Sequence, residues 1–306
     1  MINKLREQMK TYFVGKDEVI ENALTCLLAG GHVLLEDVPG VGKTTLARTL
    51  AKSIECDFGR IQFTPDTLPS DVIGTEIYNM KTGEFVVKKG AIMHQIILAD
   101  EINRTSPKTQ SSLLEAMAEG QVSVGDQIFE LPKPFMVIAT QNPVEFMGTY
   151  PLPEAQMDRF MMCLSIGYPG EEEEVRLLQN VIEGKTVEQA DSICKAEDIT
   201  KMMEEVLAVK VSDGLIKYIQ EMVELTRQET SFVLGASPRA MISILRASQA
   251  RAYLQGRDFV KPDDVKKVAL PCLHHRISLT SEAKIRKENL DKKLEAIVVK
   301  AKVPMN

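Results

Sequence analysis

Residues 36–45 read Glu-Asp-Val-Pro-Gly-Val-Gly-Lys-Thr-Thr. A loop of this kind, between a strand and a helix, is built to hold phosphate. Gly40 and Gly42 let backbone N–H groups wrap phosphate oxygens. Lys43 reaches the β- and γ-phosphates, and the Thr44 hydroxyl can hold Mg²⁺. The helix that follows adds positive potential at its N-terminus. Pro39, Val41 and Thr45 complete the stretch expected to line a nucleotide. The common pattern, G-x-x-x-x-G-K-[ST], starts with Gly, whereas this chain has Asp37, so a strict pattern search misses it. The competing reading is a Gly-rich turn that binds nothing; the flanking strand and helix argue against it.

A second string, Ile-Ile-Leu-Ala-Asp-Glu at residues 96–101, is an apolar strand ending in two carboxylates. In an α/β sheet that strand end is where ligands bind. Asp100 suits a Mg²⁺ partner, and Glu101 suits a base that polarises the attacking water. Alone, an Asp-Glu strand end is commonplace. Downstream of a phosphate loop it gains meaning, because in-line attack on a γ-phosphate needs a metal and a positioned water. ATP and Mg²⁺ are therefore the expected cofactors, and ATP hydrolysis the expected reaction.

These residues require a scaffold, and the first half of the chain supplies one. Short apolar runs at 33–35, 61–63, 96–99, 135–139 and 160–164 alternate with helix-like segments, which predicts an α/β core with a mainly parallel five-stranded sheet. One helix should start at Thr44. Another should span 107–119, with Ser106 as N-cap, Pro107 in the first turn and Gly120 as the stop. Two hairpins interrupt the rhythm, 76–88 around Lys81-Thr82-Gly83 and 121–131 around Gly125-Asp126. Beyond Tyr168-Pro169-Gly170 the pattern is helical, near 171–183, 198–208, 212–228, 238–255, 262–274 and 281–301. We place a boundary there, giving an α/β domain at 1–168 and an α-helical domain at 169–306.

Composition narrows the function classes. The 306 residues carry 43 acids against 37 bases, a formal net charge of −6, with 44% apolar and 26% charged residues. These are globular values that exclude wholesale disorder. The acidic balance argues against a dedicated nucleic-acid binder. No apolar run approaches the roughly 20 residues of a membrane span. The N-terminal residues lack an apolar signal core, and the five cysteines form no C-x-x-C pair, so a cytoplasmic protein with free thiols is expected. The four histidines show no metal-ligand spacing, and His274-His275-Arg276 reads as a helix end that favours cations. The basic tail from Ser281 reads as a solvated amphipathic helix or as a surface for an anionic partner.

With both motifs in hand, the chain resembles the AAA+ ATPases, and among them the MoxR family, over nearly its whole length. The strings that carry the resemblance are 35–44 and 100–104, then Ala139-Thr140-Gln141-Asn142-Pro143, Leu152-Pro153-Glu154-Ala155-Gln156-Met157-Asp158-Arg159-Phe160 and Gly235-Ala236-Ser237-Pro238-Arg239-Ala240. Relatives carry Gly or Asp at the position of Asp37. The resemblance implies an AAA+ P-loop αβα core with a helical lid, and roles for three more residues. Asn142 matches sensor 1, which orients the water; without the resemblance the residue reads as an Asn-Pro turn. Arg159 matches an arginine finger donated to a neighbouring subunit's ATP; a surface ion pair with Asp158 or Glu154 is the alternative. Arg239 matches sensor 2, on the first turn of a helix capped by Ser237. Val14 and Gly15 lie where such ATPases pack the adenine, in a segment that also reads as a helix-leading turn, and Arg104 could reach the nucleotide interface. The hairpins match inserts that face a pore or substrate in related rings, so that Phe85, Val86 and Val87 contact a client or pack on the core.

Function follows from the same resemblance. A homo-oligomeric ring, by default a hexamer, would couple ATP hydrolysis to chaperone-like remodelling of a client protein. Clients of the family include proteins with von Willebrand factor A-type domains. The alternative is a slow nucleotide switch whose output is partner binding.

Overall fold

A computed structural model describes residues 1–142 and 148–303. Two helices open the chain, α1 (Ile2–Tyr12) and α2 (Asp17–Leu28). There follow β1 (Val33–Glu36), α3 (Lys43–Ser53), β2 (Phe58–Gln62), α4 (Pro69–Ile73), β3 (Gly74–Asn79), β4 (Glu84–Lys89), β5 (Ile96–Asp100), α5 (Pro107–Glu119), β6 (Gln121–Val124), β7 (Gln127–Glu130), β8 (Met136–Gln141), α6 (Glu154–Met157) and β9 (Met162–Leu164). The remainder is helical: α7 (Glu171–Ile182), α8 (Ala196–Leu207), α9 (Asp213–Gln228), α10 (Pro238–Leu254), α11 (Pro262–Leu273), α12 (Ser281–Ile285) and α13 (Leu290–Lys300).

Five strands form one parallel sheet in the order β2-β5-β8-β1-β9. Ile96, Ile97, Leu98 and Ala99 of β5 are wholly buried, as are Val137 and Ala139 of β8. A strand covered on both faces has no polar side to show, which is why its sequence is continuously apolar. The register aligns the strand ends: Gln62 pairs with Asp100, Ala99 with Ala139, and Glu36 with Gln141. The C-terminal ends of β2, β5, β8 and β1 therefore stand in one row. α3 packs the face formed by Leu46, Ala47, Leu50 and Ala51 into the core.

The chain divides into two compact units, and they do not follow a single cut at residue 169. The first comprises Met1–Glu21, His32–Arg159 and Leu164–Thr200; the second comprises Asn22–Gly31, Phe160–Cys163 and Lys201–Asn306. Sequence patterning records changes of local structure. Compactness records which segments pack together, so α7 groups with the first unit despite its helical character. In the second unit, α10 packs on α9 and α11. Arg276 is buried there and donates to the carbonyls of Phe160 (2.6 Å) and Met161 (3.2 Å), to the Ser243 hydroxyl (3.1 Å) and to the Cys272 carbonyl. His275 beside it is buried and held well down, to about 3, by desolvation and by the Arg276 charge. The His274–Arg276 turn closes the C-terminal end of α11, as the reading of a cation-favouring helix end expects, and its burial makes it an internal polar anchor as well.

Other departures are local. The expected helix 281–301 is broken, because Lys287 takes a left-handed φ of 55° and Asn289 caps α13 by accepting from Lys292 N–H at 2.9 Å. β2 begins at Phe58, earlier than the apolar run at 61–63 suggests. Both hairpins form, and Phe85 and Val86 are exposed in the first. Among the described residues no helix is long and apolar enough to cross a membrane.

Candidate functional site

The phosphate loop runs from the end of β1 into α3. Gly40 has φ +87° and Gly42 φ +95°, conformations that a side chain resists. Gly42 is the N-cap of α3, and its carbonyl accepts the Leu46 N–H at 2.9 Å. A second constraint on Gly42 comes from the N-terminal segment. A Cβ there would lie 3.4 Å from the Phe13 ring, and one at Gly15 would lie 2.7 Å from it. The fully buried Phe13 is thus wedged between Gly15 and the loop, with Val14 buried next to it. Lys43 Nζ donates to the Asp37 carbonyl at 2.6 Å. Thr44 and Thr45 follow on the first turn of α3, where backbone N–H groups have no intrahelical partner.

Asp100 ends β5 and Glu101 follows it, with β8 lying between that strand and β1. Asp100 Oδ1 accepts from the Thr140 hydroxyl at 2.7 Å, and Oδ2 pairs with Arg60 at 2.6 Å. Glu101 takes a left-handed φ of 59°, a strained conformation for a residue with a side chain. Its N–H donates to Thr140 Oγ1 at 2.9 Å. Its carboxylate accepts from Gln62 Nε2 at 2.9 Å and pairs with Arg104 at 3.2 Å. Gln62 and Arg60 come from β2, and Thr140 from β8. The parallel register places them there.

The remaining sequence-predicted residues are spread over the fold. Asn142 is buried directly after β8; Pro143 of the same string lies outside the described residues. Arg159 donates to the Leu114 carbonyl of α5 at 2.8 Å. Arg239 belongs to the second unit, on the first turn of α10, where Ser237 accepts from the Ala240 N–H at 3.3 Å.

This architecture has known relatives. The family described as "ATPase family associated with various cellular activities (AAA)" matches residues 32–162, and "AAA lid domain" matches residues 224–297. A crystal structure from Cytophaga hutchinsonii superposes with a TM-score of 0.92 at 43% identity, covering 99% of this chain and 95% of that one. YeaC of Bacillus subtilis is 50% identical over 305 residues, 100% of this chain and 95% of its own length. Chaperone MoxR1 of Mycobacterium tuberculosis is 43% identical, over 90% of this chain and 75% of its own. The chain belongs to the MoxR family of AAA+ ATPases.

In this MoxR-family ATPase the two contiguous motifs were legible in the sequence, and their partners were not. Arg60 and Gln62 carry no local signal, because each acts from an adjacent strand; Thr140 stands in the 139–143 string, but its contacts with Asp100 and Glu101 are tertiary. Phe13 heads the Phe13-Val14-Gly15-Lys16 segment that the resemblance places at the adenine, but its contact with Gly42 is tertiary. The Asp37 side chain, which looks like a mere departure from pattern, is buried and fully engaged.

Proposed function

We propose that this ATPase works as a Mg²⁺-dependent ring protein that remodels a client protein. The observation that carries the catalytic half is the row of strand ends, which sets the phosphate loop, Asp100, Glu101 and Asn142 along one edge of the sheet. The Thr44 hydroxyl and the Asp100 carboxylate are oxygen donors of the kind Mg²⁺ prefers, together with substrate phosphates and water. Bound there, Mg²⁺ would neutralise charge on the phosphates. Lys43 and the α3 N-terminus hold the phosphates, Glu101 accepts the proton of the attacking water, and Asn142 orients that water. Arg159 completes a neighbour's site by neutralising charge on the γ-oxygens, and Arg239 contributes a further cation.

The chaperone name of the Mycobacterium tuberculosis relative supports the client half. A hexamer and a client with a von Willebrand factor A-type domain are the family expectations, and the cytoplasm is the proposed compartment. A second reading has its own observation. The capture of Glu101 by Gln62 and Arg104 holds the base in a resting pose, as a slow nucleotide switch would require.

The test is the ATPase rate per chain against protein concentration, for wild type and Arg159→Ala, with Arg159→Ala and Lys43→Ala chains also mixed. A rate that rises with concentration, fails in both variants and partly returns on mixing supports shared sites. A rate flat with concentration and indifferent to Arg159 leaves the switch.

A further inference from the structure

Asp37 stands where the common phosphate-loop pattern has Gly, and it supplies a side chain that Gly could not. The residue is only 6% exposed. Its Oδ1 accepts from the Ser165 hydroxyl at 2.9 Å and the Gly167 N–H at 3.0 Å, and its Oδ2 accepts from the Ile166 N–H at 2.6 Å. One carboxylate thus gathers three donors from three successive residues. They belong to the irregular strap between β9 and α7. The same residue also meets the catalytic lysine, since its carbonyl accepts from Lys43 Nζ at 2.6 Å. The strap runs close to the N-terminal segment: Gly167 has φ +67°, and a Cβ there would lie 3.1 Å from Lys16 Nζ.

The consequence for the site is geometric. An ammonium has three donors, so Lys43 can keep the Asp37 carbonyl while it reaches a phosphate. Where that carbonyl sits then decides where the ammonium sits. The carbonyl is held because the side chain on the same Cα is held. Hydrogen bonds to a carboxylate are about twice as strong as neutral ones. Removing the acceptor would also leave the Ile166 and Gly167 N–H groups without it.

We infer that Asp37 is a positioning residue of the nucleotide site, pinning the start of the phosphate loop to the 165–167 strap so that nucleotide grip and strap order rise and fall together. The inference rests on the reading of this loop as the ATP site. The coupling runs both ways, because linkage is reciprocal: an ordered strap tightens nucleotide binding, and bound nucleotide orders the strap.

The decisive variant is Asp37→Gly, which restores the common pattern while deleting the clamp; Asp37→Asn keeps the shape and loses one acceptor. A fluorescent ATP analogue reads affinity, steady-state kinetics separate KM from kcat, and amide hydrogen exchange reads the strap. Asp37→Gly should weaken binding about tenfold, as expected from the loss of hydrogen bonds to a charged group. It should raise KM more than it lowers kcat and speed exchange at Ile166 and Gly167, with Asp37→Asn between it and wild type. In the wild type, the analogue should slow exchange at the same two amides. Binding by Asp37→Gly within about twofold of wild type (under 0.5 kcal/mol) would overturn the inference. So would wild-type exchange at Ile166 and Gly167 that ignores nucleotide, a result that needs no variant to fold. A wild-type chain that binds no analogue would overturn the ATP-site reading first, and the clamp with it.

Discussion

The two ends of the central sheet hold their polar groups differently. At the N-terminal end, His32 directly precedes β1 and is buried. Its Nδ1 accepts the Val137 N–H at 3.0 Å, and its Nε2 donates to the Met117 carbonyl at 3.2 Å. The Phe135 ring packs edge-on at 5.6 Å. Both hydrogen-bond partners of the imidazole are backbone. At the C-terminal end the polar groups hold one another: Arg60 with Asp100, Gln62 and Arg104 with Glu101, Thr140 with Asp100. A backbone partner cannot leave unless its strand or helix comes apart, whereas a side chain can rotate aside for a ligand. The first arrangement therefore suits stability, and the second suits the exchange with substrate proposed for this end. Mutations at the C-terminal end should cost activity with little stability, and mutations at the N-terminal end the reverse.

The largest effects are expected at the C-terminal end. Lys43→Ala removes charge-assisted contacts to phosphate and should weaken ATP-analogue binding about 100-fold. Glu101→Gln keeps the shape and one acceptor oxygen but loses the proposed base, so turnover should fall by about 10²–10⁴ while binding persists. Both should melt within a few degrees of wild type. Titration with a fluorescent nucleotide, a single-turnover assay and a thermal melt separate the three quantities. A Glu101→Gln chain that hydrolyses ATP at the wild-type rate would remove Glu101 from the chemistry.

The N-terminal end should answer to pH instead. Burial pushes the His32 pKa down to about 4, so the folded chain keeps this imidazole neutral. The unfolded chain takes up the proton below about 6.5. Stability is therefore full above about pH 6.5 and falls as pH drops toward about 4, by up to about 1.4 kcal/mol per pH unit. His275 adds a contribution of the same sign, extending toward about 3. His32→Leu should be less stable at pH 7.5 by about 1–3 kcal/mol, since Val137 N–H and Met117 C=O lose their partner. It should also decline less steeply between pH 6.5 and 5. Denaturant midpoints at those three pH values test this. An unchanged slope would mean that His32 does not carry the pH dependence.

The same contrast explains what the sequence could tell. The phosphate loop and the Asp100-Glu101 pair were legible because their chemistry is local: adjacent residues on one turn or one strand end. Helix α5 was legible for a similar reason, with Ser106, Pro107 and Gly120 marking both ends. Gln62, and the contacts of Thr140, were not, because only strand register brings residues from β2 and β8 to the end of β5. His32 had no readable role, since its partners at Met117 and Val137 lie far along the chain. The break at Lys287 did leave a trace. Asn289 is a good N-cap, but the helical periodicity on both sides of it masked the interruption.

The smallest effect sharpens the comparison most, because it isolates one exchangeable partner. Arg60 is about half exposed, with a side-chain accessibility of 48%, and pairs with Asp100 Oδ2 at 2.6 Å. A pair this accessible to water is worth about 0–1 kcal/mol, so Arg60→Ala should leave the melting temperature nearly unchanged. Its effect should appear in metal dependence. If Arg60 must yield Asp100 before a cation can engage it, deleting Arg60 removes that competition. The Mg²⁺ concentration for half-maximal ATPase should then fall by up to about fivefold, the equivalent of 1 kcal/mol. A Mg²⁺ titration at saturating ATP measures it. A rise in that concentration would show Arg60 helping to orient Asp100 for the metal, and a single held geometry rather than an exchange would then describe this end of the sheet as well.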